Sequence, residues 1–127
     1  MILWNLKTYL LILIRNTKGY RCGAFTSKAW SSCNSYVSDQ NTFLFSLEFQ
    51  ERYFNYDGNY AFYDNSSYGP CFGSSGSTDK SDLFIGDSFN NGNCYCNFPY
   101  YFSGTRVRSL SGGYFTFKVD EMEVYEI

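Results

Sequence analysis

The chain has 127 residues, 22% of them aromatic, and 10 basic against 12 acidic side chains give a net charge of −2. This length predicts one domain spanning residues 1–127, and the charge balance offers no basic face for generic nucleic-acid binding. Histidine is absent, which excludes Ser-His-Asp catalysis and every zinc site that contains histidine.

Short apolar runs separated by Gly, Asn, Ser and Asp follow one another along the chain, as is typical of β-rich folds. Tyr9–Ile14 and Tyr20–Phe25 flank the turn sequence Asn16-Thr17-Lys18-Gly19, which predicts a hairpin with positive φ at its glycine. The unbroken apolar character of Tyr9–Ile14 predicts a strand buried on both faces. Ser27–Ser38 is predicted to be a polar connection that carries Trp30, with one helical turn as an option.

Two later segments alternate with the period of a strand. Thr42–Phe49 has an aromatic and aliphatic face opposite Leu44, Ser46 and Glu48. The residues of that apolar face are Phe43, Phe45, Leu47 and Phe49.

The second alternating segment is Tyr114–Val119, which is predicted to place Phe115, Phe117 and Val119 inward. The apolar phase then shifts to Met122 and Val124. A shift by one residue predicts a bulge or bend near Asp120-Glu121.

Shorter elements complete the predicted architecture. Tyr60–Tyr63 and Leu83–Ile85 are predicted strands. Asp57-Gly58 predicts a turn between the polar and aromatic segment Gln50–Asp57 and the strand Tyr60–Tyr63. Asn65–Ser81 and Asp87–Asn97 are predicted loops, because they are rich in Gly, Ser and Asn. Together these segments predict an α+β, β-rich fold, a two-sheet antiparallel β-sandwich with few short helices.

The five cysteines and the N-terminal segment bear on the compartment. An odd cysteine count without a known framework favours free thiols in a reducing cytoplasm. The apolar N-terminal run is too short to span a bilayer, and it lacks a basic start and a signal cleavage site. We therefore expect a cytoplasmic protein without membrane insertion. The alternative is a secreted, carbohydrate-binding or other extracellular sandwich, with glycosylation at Asn65 and with two disulfide bridges and one spare thiol among the five cysteines.

Six pieces of the sequence, taken in order, resemble the TLDc domain of oxidation-resistance proteins. The pieces are Leu11-Ile12-Leu13-Ile14 with Gly19 and Gly23-Ala24-Phe25, then Ser27 and Trp30, then Phe43-Leu44-Phe45-Ser46-Leu47, then Asn65-Ser66-Ser67-Tyr68-Gly69-Pro70-Cys71-Phe72-Gly73, then Asp82-Leu83-Phe84-Ile85 with Tyr95-Cys96-Asn97-Phe98, and finally Phe115, Val119 and Glu121-Met122-Glu123-Val124-Tyr125. Single pieces are weak evidence, but their order along nearly the whole chain is specific.

The resemblance implies a protein-binding module without a cofactor or an established catalytic mechanism. TLDc proteins are associated with protection against oxidative stress, and several bind the vacuolar-type proton pump. The implied partner is therefore a protein, with the peripheral stalk of that pump as the candidate. This chain departs from the family pattern because it begins almost at the first hairpin, without the usual helical portion. The motif positions expected to be structural or to bind a partner are Trp30, Ser67, Gly69, Pro70, Phe72, Gly73, Asp82, Glu121 and Glu123.

No set of residues in the sequence completes a catalytic, cofactor or metal site, so we expect no enzyme activity. Cys94-x-Cys96 supplies two thiols on one side of a strand, which makes a thiol-based, peroxide-responsive protein a further alternative. The acidic residues could include a glycosidase pair, but the sequence sets no separation between them. Aromatic residues in or near loops could stack on sugars or form a protein interface. These residues are Tyr53, Phe54, Tyr56, Tyr100, Tyr101 and Phe102.

Overall fold

Eleven strands and one short 3-10 turn at Ser109–Ser111 make up the described fold, taken from a computed structural model. The structure describes residues 9–28, 30, 35–55, 58–64, 70–73, 81–86 and 94–127. The strands, in chain order, are β1 (Leu10–Asn16), β2 (Arg21–Thr26), β3 (Ser35–Val37), β4 (Phe43–Ser46), β5 (Glu51–Phe54), β6 (Phe62–Asp64), β7 (Cys71–Phe72), β8 (Leu83–Phe84), β9 (Cys94–Tyr95), β10 (Thr116–Phe117) and β11 (Val119–Glu126).

These strands form two sheets in which every paired neighbour is antiparallel. The five-stranded sheet has the order β11-β1-β2-β4-β5, and the six-stranded sheet has the order β10-β9-β8-β7-β6-β3. The buried residues of both sheets join in one apolar cluster. The prediction of a β-rich, two-sheet sandwich with few short helices is therefore confirmed.

The predicted first hairpin is present, and Asn16 holds its turn. The Asn16 side-chain oxygen accepts hydrogen bonds from the backbone N–H groups of Lys18 and Tyr20, at 2.9 and 3.1 Å. Its side-chain nitrogen donates to the backbone oxygen of Ser111 at 3.0 Å. Gly19 has a φ of 90°, as the turn sequence predicts. One asparagine thus shapes the turn and ties it to the 3-10 turn.

β1 is buried on one face and half-buried on the other, so the prediction of burial on both faces is wrong. Leu10, Ile12 and Ile14 face the interior and are at most 3% exposed. Leu11 and Leu13 lie on the outer face of the sheet and are half-buried. An unbroken apolar run does not by itself distinguish a strand buried on both faces from one that is half-buried on its outer face.

In β4 the face that is buried is not the one with the larger aromatic side chains. Leu44 and Ser46 are buried, and the outward Phe43 and Phe45 are only half-buried. The strand ends at Ser46, since a turn follows in which Gln50 has a positive φ of 54°. The larger aromatic face of this strand therefore forms part of the outer surface of the five-stranded sheet.

Three short strands, β3, β7 and β9, lie in segments that the sequence predicts to be connections or loops. β5 lies within Gln50–Asp57, a segment to which the sequence assigns no element. β6 begins at Phe62, because Tyr60 lies in a turn with a positive φ of 55°. The predicted strand at Leu83–Ile85 is present as β8. The helical turn that was considered for Ser27–Ser38 would fall largely on residues outside the described ranges.

The chain passes from one sheet to the other between β10 and β11. Phe117 and Val119 are buried as predicted, but Phe115 is 37% exposed, so its predicted inward position is wrong. The predicted irregularity near Asp120 is confirmed, because Arg15 pairs with Glu121 while the next residue, Asn16, pairs with Val119. The exposed Phe115 precedes β10 and lies against the Tyr95 ring, with centroids 5.4 Å apart.

Gly23 in the centre of β2 has no room for a side chain. An added Cβ would overlap the backbone oxygen of Ile12 and the ring of Phe45. We expect Gly23→Ala to lower the free energy of unfolding by about 1–3 kcal/mol, the usual range for overpacking, as measured by urea denaturation. The control Thr105→Ala, at an exposed position, should change it by less than about 0.5 kcal/mol. Equal stability of the two variants would contradict the packing.

Candidate functional site

The family-motif residues fall into an interior group and a surface pair. Ser67 and Gly69 lie outside the described residues. Trp30 and Phe72 belong to the core, with 2% and 0% exposure. The Trp30 ring stacks on Phe62 with centroids 4.2 Å apart, and its indole N–H donates to the Thr26 hydroxyl at 3.0 Å. These two positions are therefore structural rather than surfaces for a partner.

Pro70, Gly73 and Asp82 come together where β7 and β8 pair. The Pro70 oxygen accepts a hydrogen bond from the Ile85 N–H at 2.8 Å. The Gly73 oxygen accepts one from the Asp82 N–H at 2.9 Å. Gly73 has a φ of 63°, and a Cβ at this position would overlap the Asp82 carboxylate. Glycine is therefore required both by the backbone conformation and by the closeness of the carboxylate.

The Asp82 carboxylate is fully buried and holds a distant loop. Its two oxygens accept hydrogen bonds from the backbone N–H groups of three consecutive residues, Tyr100, Tyr101 and Phe102, at 2.7, 2.8 and 3.0 Å. A carboxylate that receives three N–H groups satisfies donors that would otherwise be buried without a partner. Asp82 thus fixes the loop around Tyr100–Phe102 against β8.

Burial raises the pKa of Asp82 to about 6, although the hydrogen bonds from Tyr101, Tyr100 and Phe102 act in the opposite direction. Removal from water disfavours the charged form, and in this position it outweighs the stabilisation by the N–H groups. The three described residues that donate hydrogen bonds to the carboxylate do so through backbone N–H groups, not through cationic side chains. The group therefore anchors structure and titrates near the physiological range.

A second buried carboxylate, Asp39, was not recognised from the sequence. It accepts hydrogen bonds from the N–H and hydroxyl of Ser27, at 2.8 and 2.6 Å. The Asn41 N–H and the Thr42 hydroxyl donate to it at 3.0 and 2.6 Å. Burial alone would raise the pKa of Asp39, but these hydrogen bonds lower it below its ordinary value. Asp39 fixes the connection between β2 and β4, and the spacing of Asp39 and Thr42 is its only sequence signal.

The cysteines are buried rather than positioned for reaction. Cys22, Cys71, Cys94 and Cys96 are free thiols that are at most 2% exposed, and Cys33 lies outside the described residues. Burial raises the pKa of all four, to about 12 for Cys71 and about 11 for Cys96. Such thiols are protonated at neutral pH, and the thiolate is the reactive form.

The described residues bring together no group of three Cys, Asp or Glu side chains that could hold a metal ion. A cleft of about 360 Å³ is lined by Thr17, Lys18, Tyr114, Thr116, Phe117 and Lys118. It contains no carboxylate, so the pair that glycoside hydrolysis requires does not meet there. Among the helices that the structure describes, none could cross a membrane.

Glu121 and Glu123 lie on the outer face of β11, the edge strand of the five-stranded sheet. The Arg15 guanidinium is 3.2 Å from the Glu121 carboxylate, and the Tyr125 hydroxyl donates to Glu123. Both glutamates line a cleft of about 230 Å³ whose apolar wall includes Leu13 and Leu47. The surface pair from the family motif is therefore associated with an open cleft.

The loop aromatics that were predicted to be available for stacking differ in how far they are buried. Tyr53 and Phe102 are buried, Phe54 is half-buried on the outer face, and Tyr56 lies outside the described residues. Tyr100 and Tyr101 join a surface group that we name the tyrosine cluster. Its members are Tyr36, Tyr60, Tyr63, Tyr100 and Tyr101.

The raised pKa of Asp82 predicts a distinct pH dependence of stability. A folded-state pKa above the unfolded value means that the folded protein binds the proton more tightly, so stability increases as pH falls from 7 towards 4. The full change is on the order of 2–3 kcal/mol. In Asp82→Asn, urea denaturation should show this part of the pH dependence lost.

Asp39→Asn is the matched control for that experiment. Because the pKa of Asp39 is lowered, its contribution is present above the unfolded pKa and disappears only when pH falls below it. The variant should lose stability throughout pH 5–7 while keeping the wild-type slope over that range. A wild-type slope in Asp82→Asn would contradict the assignment to Asp82.

Comparisons with known proteins agree with this arrangement. A family model described as the TLDc domain matches residues 3–127, nearly the whole chain. A search of curated protein sequences finds no significant match. The family match covers both sheets, the Asp82 anchor and the acidic face of β11. The chain therefore belongs to the TLDc domain family.

Proposed function

We propose that this chain is a non-enzymatic protein-binding module of the TLDc type that acts in the cytoplasm in protection against oxidative stress. Its candidate partner is the peripheral stalk of the vacuolar-type proton pump. Membership of the TLDc family supports a module of this type. The cleft beside Glu121 and Glu123 is the observation that carries the choice of binding surface.

The cleft combines an apolar wall with a charged rim, where Glu121 and Glu123 lie together with Arg15 and Arg21. Leu13 and Leu47 provide aliphatic surface, and Leu47 is 42% exposed. Glu121 and Glu123 stand next to each other on the same face of β11, with Arg15 beside Glu121. A partner that inserts an aliphatic side chain and brings Lys or Arg to the rim would satisfy both features. A helix with basic residues at i and i+4 presents such a pattern.

The position of the cleft is also suitable for docking. Among the described strands β11 pairs with β1 alone, at the edge of its sheet, and four of its residues are acidic. Charged side chains on an edge prevent indiscriminate strand pairing. They also favour encounter with a basic partner, an attraction that weakens as salt increases. The same strand can thus disfavour aggregation and select a partner.

The thiol alternative receives less support from the described residues. A peroxide-reactive cysteine needs exposure and a lowered pKa. Cys94 and Cys96 are fully buried, and burial raises the pKa of both thiols. The secreted alternative expects disulfide bridges. None of the four cysteines that the structure describes forms one, so these residues do not favour it.

The charge at the rim provides the test of the binding surface. Glu121→Gln/Glu123→Gln removes two negative charges and keeps the side-chain shape. We expect this variant to bind the purified peripheral stalk of the pump about 10-fold more weakly at low salt, since each exposed charge contact contributes up to about 1 kcal/mol. Biolayer interferometry over a range of salt concentrations should also show a shallower salt dependence.

The matched control adds the same net charge elsewhere. Asn41→Lys/Ser103→Lys changes two exposed positions away from β11 and should leave affinity within about two-fold, since rim charges act locally. If both variants weaken binding equally, only net charge matters and the cleft is not the site. If the unmodified chain does not bind the stalk at all, the pump is not its partner.

A further inference from the structure

The tyrosine cluster is a chain of rings in contact at the surface. Tyr63 and Tyr36 have centroids 4.7 Å apart, Tyr36 and Tyr60 4.9 Å, Tyr60 and Tyr101 5.2 Å, and Tyr101 and Tyr100 5.0 Å. Tyr60 and Tyr100 are 41% and 55% exposed. Five phenol rings therefore form one connected group, and solvent reaches it at Tyr60 and Tyr100.

Three separate features of the fold hold this group in place. The β3–β6 pairing sets Tyr36 directly opposite Tyr63. Tyr60 adopts a left-handed conformation, with a φ of 55°, which a bulky residue rarely adopts without support from its surroundings. The buried Asp82 carboxylate receives the N–H groups of Tyr100 and Tyr101. The rings thus come from three chain segments, at residues 36, 60–63 and 100–101, and meet through tertiary structure.

We propose that the tyrosine cluster is a one-electron oxidation site that captures peroxyl radicals and closes a dityrosine bond between Tyr60 and Tyr101. Phenols are the side chains that donate a hydrogen atom readily to peroxyl radicals, and the product radical is stabilised over the ring. Exposure of Tyr60 and Tyr100 lets a radical reach the cluster. Ring contact then places a second phenol next to the first phenoxyl radical.

The chemistry balances without any cofactor. Each of two peroxyl radicals takes one hydrogen atom from a tyrosine hydroxyl, that is, one electron together with one proton. The peroxyl radical becomes a hydroperoxide, and the tyrosine becomes a phenoxyl radical. The two phenoxyl radicals then join through a new carbon–carbon bond, formed between the ring positions next to the oxygens. The hydrogen on each of those carbons moves to the oxygen and restores the phenol. Two tyrosines and two peroxyl radicals thus give one dityrosine and two hydroperoxides.

Tyr60 and Tyr101 are the pair of choice for the bond. They are 41 residues apart in sequence, and their rings lie with centroids 5.2 Å apart and planes tilted by 42°. A bond between them would connect the turn before β6 to the loop held by Asp82. The proposal does not depend on the pump partner, because it concerns the opposite part of the sandwich and a different chemistry.

The test exposes the full chain to peroxyl radicals from a water-soluble azo initiator at low conversion. We expect dityrosine fluorescence in monomeric protein, with a yield per chain that does not change on dilution. Peptide mapping by mass spectrometry should find a crosslink that joins Tyr60 to Tyr101 with the loss of two hydrogens.

Conservative variants separate this site from random oxidation. Tyr60→Phe/Tyr101→Phe keeps both rings, so folding is preserved, and it should lose most of the intramolecular dityrosine. The control Tyr114→Phe/Tyr125→Phe removes two tyrosines that are 44% and 46% exposed and have no ring neighbour among the described residues. It should keep the wild-type yield. Equal losses in both variants, crosslinks that map outside the cluster, or crosslinks only between molecules would overturn the proposal.

Discussion

A single buried carboxylate connects the interior of this protein with its surface. Asp82 receives three consecutive backbone N–H groups from the loop at Tyr100–Phe102. Without it, all three donors would lose this acceptor, and the buried N–H of Phe102 left unsatisfied would cost about 1–3 kcal/mol. The loop places Phe102 in the core and Tyr100 at the surface. Loss of the anchor would therefore affect core packing and the tyrosine cluster together.

The longest strands could be predicted from the sequence because they carry a readable period. The β1–β2 hairpin and the irregularity near Asp120 follow from alternation and turn residues, which are local signals. The strands β7 and β9 contain two residues each, and a period of two cannot be read from two residues. Their pairing depends on contacts with distant segments, so β7 and β9 were predicted to be connections.

The direction in which a strand faces was harder to predict than its existence. In β4 the interior receives Leu44 and Ser46, while Phe43 and Phe45 lie outward. Burial in a sandwich depends on the opposite sheet and on the space available, and neither is visible in a single segment. The outer aromatic rings find partners in their own sheet instead, since Phe43 stacks on Phe25 with centroids 5.3 Å apart.

The candidate sites also differ in whether one segment of the sequence is enough to predict them or whether they depend on contacts between distant segments. Asp82 could be singled out only through the family resemblance, because composition alone makes an aspartate a surface residue. The tyrosine cluster draws on three segments that are distant in sequence, so no motif in the sequence predicts it. The Glu121 and Glu123 face was predictable, since alternation along one strand places both on the same side.

The topology keeps these two surfaces apart. β10 and β11 follow each other across Lys118, so the acidic edge of one sheet adjoins the β10 edge of the other. The tyrosine cluster lies at the far edge, where β3 pairs with β6. A partner bound at Glu121 and Glu123 would therefore leave Tyr60 and Tyr100 open to solvent. Binding and radical capture could then operate on one molecule at the same time, without competing for the same residues.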